Sequence, residues 1–158
     1  MSLTRDPAYG AQIAIYAALS SSAEVQAAVG AARAQAQFVY DSAAVPADPQ
    51  TLRITADFPY ITIGEDQVVG DESQYHDGSE IFAKVEIWSR AVDFLEAKAI
   101  AGAVRDALSQ PLAIAGHTTV AWKFRGALTR TEPDGLTRRI IQTFRYLTEP
   151  ALVTADIP

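Results

Sequence analysis

The chain has 158 residues, 49% hydrophobic and 20% charged, and it contains no cysteine. Length and balance fit one globular domain, and the missing cysteine excludes disulfides, thiolate metal sites and a cysteine nucleophile. The net charge of −6 has the wrong sign for holding nucleic acid by counterion release, and no run of roughly eighteen apolar residues offers a membrane span.

Residues 1–6 lack the apolar core of a signal peptide, so the chain reads as a soluble intracellular protein. Asp6-Pro7 opens a first helix, because Asp caps and Pro is tolerated at the first helical position. Ala8, Ala11, Ile15, Ala18 and Leu19 recur at helical spacing, and Ile13 with Tyr16 widens that apolar face. Ser21 and Glu24 have the spacing of a capping box for a short second helix, which carries Val25, Ala28 and Val29 and closes at Gly30. Residues 37–40 read as a short strand. Residues 41–59 hold Pro46, Pro49 and Pro59 and read mostly as a long loop, pinned to the body by Leu52 and Ile54.

A β-rich run at 58–64 heads toward Val68 and Val69. Residues 70–78 are acidic, bounded by glycine and almost free of aliphatics, which predicts an exposed loop. Ile81, Ala83, Val85 and Ile87 alternate along the next strand, with Phe82, Lys84, Glu86 and Trp88 on its other face. Asp93 and Glu96 have capping-box spacing for a helix whose apolar face is Phe94, Ala97, Ile100, Ala101, Val104, Ala107 and Leu108. Pro111 ends it, and the small residues Ala97, Ala101 and Gly102 predict close approach to a sheet.

A short apolar piece at 112–115 and a turn at Gly116-His117 precede a long strand, in which Val120, Trp122, Phe124 and Leu128 share one face. Residues 131–135 form a turn set by Pro133 and Gly135. A second long strand at 136–148 returns antiparallel. The expected fold is α+β: a mostly antiparallel sheet with a long terminal hairpin, packed against an N-terminal helix and one central helix. Residues 1–150 form a single domain and 151–158 a flexible tail.

Chemistry is sparse in this pattern. Phosphate-cradling glycine motifs and a nucleophile elbow are missing, and His76 and His117 fall in predicted loops without a triad context. Asp71, Glu72, His76, Asp77 and Glu80 cluster, which leaves a hard cation open, but their spacing departs from the EF-hand pattern and a charged, solvated loop is commoner. No catalytic, cofactor or metal residue is assigned. Arg125, Arg130, Arg138, Arg139 and Arg145 form either a basic patch toward a partner or passing DNA, or a solvated sheet face paired across strands to acids such as Glu132. Alternation favours the second reading. Trp88 and Trp122 read as core or interface anchors.

The order of landmarks resembles a known family. Phe58-Pro59-Tyr60-Ile61-Thr62-Ile63-Gly64-Glu65 leads through a polar loop to Ala83-Lys84-Val85-Glu86-Ile87-Trp88-Ser89-Arg90. The helix Glu96-Ala97-Lys98-Ala99-Ile100-Ala101 follows, then the turn Glu132-Pro133-Asp134-Gly135 and the closing Phe144-Arg145-Tyr146-Leu147-Thr148. The series is similar to the tail-completion or tail-terminator proteins of long-tailed phages and phage-derived gene transfer agents; residues 43–56 and the C-terminal tail are less typical.

The resemblance implies a structural protein without catalytic residues. It implies a homo-oligomeric ring, usually a hexamer, at the head-proximal end of the tail tube. The partners would be the tail tube protein and a head–tail connector or stopper protein; DNA would only pass through the ring lumen, and no membrane is involved. The chain would sit in the host cytoplasm during assembly and then at the head–tail junction. Asp71, Glu72, Tyr75, Asp77, Arg125 and Arg138 are the expected interface residues, with residues 66–79 ordering only against a neighbouring chain or the tube. The alternatives are a connector or stopper ring, and a small metal-dependent enzyme using residues 71–80.

Overall fold

Asp6 and Pro7 start the first helix through local chemistry: the Asp6 carboxylate accepts the Ala8 N–H at 2.9 Å, and Pro7 is the N-cap. The computed structural model describes residues 6–30, 33, 35–73 and 76–151; the 152–158 tail and Tyr75 lie outside them. Helix α1 (Ala8–Ser21) buries Ala11, Ala14, Ile15 and Leu19. Ile13 and Tyr16 do not widen that buried face; with Tyr9 they form a second, exposed stripe. Helix α2 (Ala23–Val29) is capped by Ser22, whose hydroxyl accepts the Val25 N–H at 3.3 Å. The predicted cap Ser21 is diverted, because its hydroxyl donates to the Ala17 carbonyl at 2.6 Å.

The strands are β1 (Val39–Asp41), β2 (Tyr60–Ile63), β3 (Gln67–Ser73), β4 (His76–Ser89), β5 (His117–Thr131) and β6 (Arg138–Pro150), with α3 (Leu95–Leu108) between β4 and β5. They form a six-stranded sheet in the order β1-β2-β4-β6-β5, and β3 also pairs with β4. Every pairing is antiparallel except β1 with β2. Strands β2 and β3 lie end to end along one edge of β4, broken at residues 64–66. This is the expected α+β class.

The segment at 70–78 is not the loop its composition predicts. Gly70, Asp71, Glu72 and Ser73 on β3 pair with Ser79, Gly78, Asp77 and His76 on β4, so the acidic stretch is the end of a β-hairpin. Low aliphatic content misleads here because a ladder is held by backbone donors and acceptors and needs no apolar side chains. The pairing is made within one chain.

One sheet face carries the core. Ile81, Ala83, Val85 and Ile87 of β4 and Ile140, Phe144 and Tyr146 of β6 meet Ala97, Ile100, Ala101, Val104 and Leu108 of α3. Helix α1 packs over β1 and β2, and α3 over β4 and β6. Helix and sheet are also joined by buried polar groups: Gln142 Nε2 donates to the Ala101 carbonyl at 2.9 Å. Gly102 does not contribute to this approach; a Cβ there would meet open space. The capping box at Asp93 and Glu96 does not form, because the Glu96 carboxylate accepts the hydroxyl of buried Ser89 at 2.8 Å. Asp93 instead accepts the Leu95 N–H at 3.1 Å. Leu52 is exposed and pins nothing; the loop is held by Ala56, which is buried against Tyr40 and Tyr60, and by an Ala47–Ile54 bridge.

Strand β5 departs most from simple alternation. It slips by one residue at Val120 and again at Arg125. Phe124 stays opposite buried Phe144, while Leu128 falls opposite Ile141 on the other face. A bulge inserts one residue and so inverts the pleat beyond it. Every residue of β5 is exposed or half-buried, and the guanidinium of Arg105 lies over the Phe124 ring at 4.0 Å.

Candidate functional site

The sheet face away from the helices is built as a charge ladder. Arg139 lies between Glu86, at 2.5 Å, and Glu132, at 3.6 Å, with its guanidinium 4.7 Å from the Trp88 ring. Arg145 pairs with Glu80, and Arg130 with Glu132 at 3.1 Å. Three of the five hairpin arginines are therefore consumed by acids of the same face, as cross-strand alternation predicts. Trp88 is half-buried in an aromatic group on this side, stacked on Tyr60 with centroids 6.0 Å apart and donating Nε1–H to Thr62 Oγ1 at 3.0 Å. Burial pushes the Tyr60 phenol up to about 12, so it stays neutral.

Arg138 is committed within the chain. Its guanidinium donates to the carbonyls of Val92 at 3.1 Å and Gly135 at 3.2 Å and lies over the Phe94 ring at 5.6 Å. That ties the hairpin turn to the start of α3. Arg125 stands exposed at the second β5 bulge, with no ion pair among the described residues. Asp71 and Glu72 lie on β3 at the opposite edge of the sheet, and exposed Asp77 faces Glu72 across the β3–β4 ladder. Of the interface residues read from sequence, Asp71 and Glu72 lie on one edge strand, Asp77 on β4, Arg125 on the other edge strand and Arg138 on β6 beside it; Tyr75 lies outside the described residues.

A feature missed in the sequence is the exposed stripe Tyr9, Ile13 and Tyr16, at 67%, 51% and 42% exposure. The signal was present as i, i+4, i+7 spacing, but the helix has two apolar stripes, and sequence alone does not rank them. A cleft of about 550 Å³ lies between α2 and β1 and is lined by Tyr16, Val29, Arg33 and Gln37. Arg33 is engaged there with the carbonyls of Gln37 and Asp57 at 2.9 and 2.8 Å. Among the described residues, no three His, Asp or Glu groups come together to hold a metal, and no helix is long and apolar enough to cross a membrane.

Open strand edges, an exposed apolar helix stripe and a charged sheet face away from the helices define a small subunit whose assets are surfaces for other chains. Residues 13–149 match the family described as "Tail completion protein gp17". A chain from the virion of a native gene transfer agent (GTA) particle has the same fold, with a TM-score of 0.75 and 28% identity over 92% of this chain and 99% of that one. No curated protein matches. The chain belongs to the phage tail-completion family, a family of structural particle proteins.

Proposed function

We propose that this chain forms a ring, sixfold in the simplest case, at the head-proximal end of a tail tube. There it stops tube polymerisation and offers the surface that joins the tail to the head connector. Family membership over residues 13–149 is the observation that carries this reading. The fold supports it: a ring uses two different faces of each subunit, and the sheet has unpaired edges on opposite sides, β5 at one and β1 with β3 at the other. The chain acts by contact and carries out no chemistry. With a net charge of −6, it would let DNA pass through the lumen without retaining it. It assembles in the host cytoplasm and stays at the head–tail junction.

Imaging particles made without this chain tests the reading. Overlong tails, or complete tails separate from full heads, are expected. Normal tails joined to heads, with normal infectivity or transfer, would end the proposal.

A further inference from the structure

Two opposite edges of the sheet match each other in strand direction, level and charge. Strand β3 runs against β4, β4 against β6 and β6 against β5, so β1, β2 and β3 all run opposite to β5. A second copy set beside the first in the same orientation would meet β5 antiparallel, the pairing that forms the more stable ladder. The ladders also fix which residues stand level. Gln67 faces Phe82, which faces Arg145, which faces Lys123; Ile63 leads likewise through Val85 and Gln142 to Ala127. The break between β2 and β3, with exposed Glu65 and Asp66, therefore stands level with the bulge of β5 that presents exposed Arg125. Lys123, also exposed, stands one step away.

Apolar surface is distributed in the same sense. Val120 and Trp122 on β5 keep 44% and 43% of their surface. Helix α1, over β1 and β2, is the helix on the flank that such a β5 would reach, and it carries the Tyr9–Ile13–Tyr16 stripe. Its N-terminal turn is at the matching end of the strands: Gly10 lies against Ile114, just before β5 begins.

We propose that β5 of one copy docks on the α1/β1–β3 flank of the next, with Arg125 and Lys123 against Glu65 and Asp66, and Trp122 against Val68 of β3 at the Tyr9 end of the α1 stripe. The occupant is a second copy of this chain, because each edge supplies what the other lacks. The contact is heterologous, so it repeats around a ring, and it covers a 15-residue strand edge that would otherwise invite indiscriminate pairing. This inference rests on the ring reading above and names its subunit contact.

The test is a cysteine pair, Arg125→Cys with Asp66→Cys, in particles assembled with the full chain. Residues opposed across an antiparallel ladder lie about 4.5–5.5 Å apart at Cα, within disulfide reach. The chain has no cysteine of its own, so any cross-link belongs to the pair. On oxidation, the double variant should run as covalent multimers on a non-reducing gel and each single variant as monomer. Several copies per tail with no multimers from the double variant would overturn the contact and leave the ring reading standing. Dimers from either single variant would also overturn it, since they would show a self-complementary contact. One copy per tail would overturn the ring reading itself. As a second measure, Arg125→Glu should abolish most head-joined tails and Asp66→Arg should restore them in the double variant; failure of that rescue counts against the contact.

Discussion

Replacing Tyr146 with Phe removes one oxygen atom from the centre of the domain, and its cost follows from how α3 ends. The last four carbonyls of a helix have no partner within it. In α3 each finds one elsewhere: Ser109 Oγ donates to the Arg105 carbonyl at 2.5 Å, Ser109 N–H to Asp106 at 3.4 Å and Gln110 Nε2 to Ala107 at 2.9 Å. The fourth carbonyl, of Leu108, accepts the Tyr146 hydroxyl at 2.6 Å. Tyr146 and Leu108 are both fully buried, so water cannot replace the lost donor. Burial also raises the Tyr146 phenol above its ordinary pKa, which keeps it a donor. An unsatisfied buried carbonyl costs roughly 1–3 kcal/mol, so Tyr146→Phe should destabilise by about 2 kcal/mol. At this chain length, that lowers Tm by roughly 4–8 °C. The control is Ser109→Ala, at the exposed end of the same helix, where water can serve the carbonyl and the loss should stay below about 0.5 kcal/mol. Urea titration of both variants reads the difference as a shift in midpoint at constant slope. A Tyr146→Phe protein within about 0.5 kcal/mol of the parent, or a Ser109→Ala loss of equal size, would refute the reasoning.

Three further outcomes are expected. Gly10→Ala should lose about 1 kcal/mol despite a helix-propensity gain of similar size, because overpacking costs roughly 1–3 kcal/mol. The new Cβ would lie 2.9 Å from Cγ2 of buried Ile114; a stabilised variant in thermal melts would contradict that contact. Arg139→Met leaves the Glu86 and Glu132 carboxylates without their shared guanidinium and should cost about 2 kcal/mol, less than for a fully buried pair. Adding Glu86→Gln should recover part of that loss in a double-mutant cycle; strict additivity would contradict the pairing. The Asp134 carboxyl is lowered to about 2 by the hydroxyl of Thr137 first, then by the N–H groups of Thr137 and Leu136. Its folded pKa lies below the unfolded value of about 3.9, so its contribution is present above about pH 4 and lost as pH falls toward 2. Amide exchange at Leu136 and Thr137 should accelerate across that window; flat protection would contradict it.

Much of the fold was legible because apolar spacing and packing agreed. Ile81, Ala83, Val85 and Ile87 point inward as alternation predicts, and the α3 stripe from Ala97 to Leu108 is buried. The misreadings arose where another contact or an irregularity overrode a local rule. Ser89 takes the Glu96 carboxylate that spacing assigned to a capping box, and the bulge at Arg125 turns Leu128 to the opposite face. The acidic hairpin escaped because hydrophobic alternation is the strand signal and 70–78 has none. Of the interface residues, sequence could nominate Arg125 and Arg138 alike, but only the fold separates the exposed Arg125 from Arg138, which is engaged with Val92 and Gly135.

The most direct test of the central claim is a cryo-microscopy reconstruction of the head–tail junction of particles assembled with this chain. A closed ring of several copies is expected between the last layer of the tail tube and the connector, each β5 seated on the α1/β1–β3 flank of its neighbour. Density for the chain at the tail tip, along the tube or inside the head, or a single copy at the junction, would contradict the account.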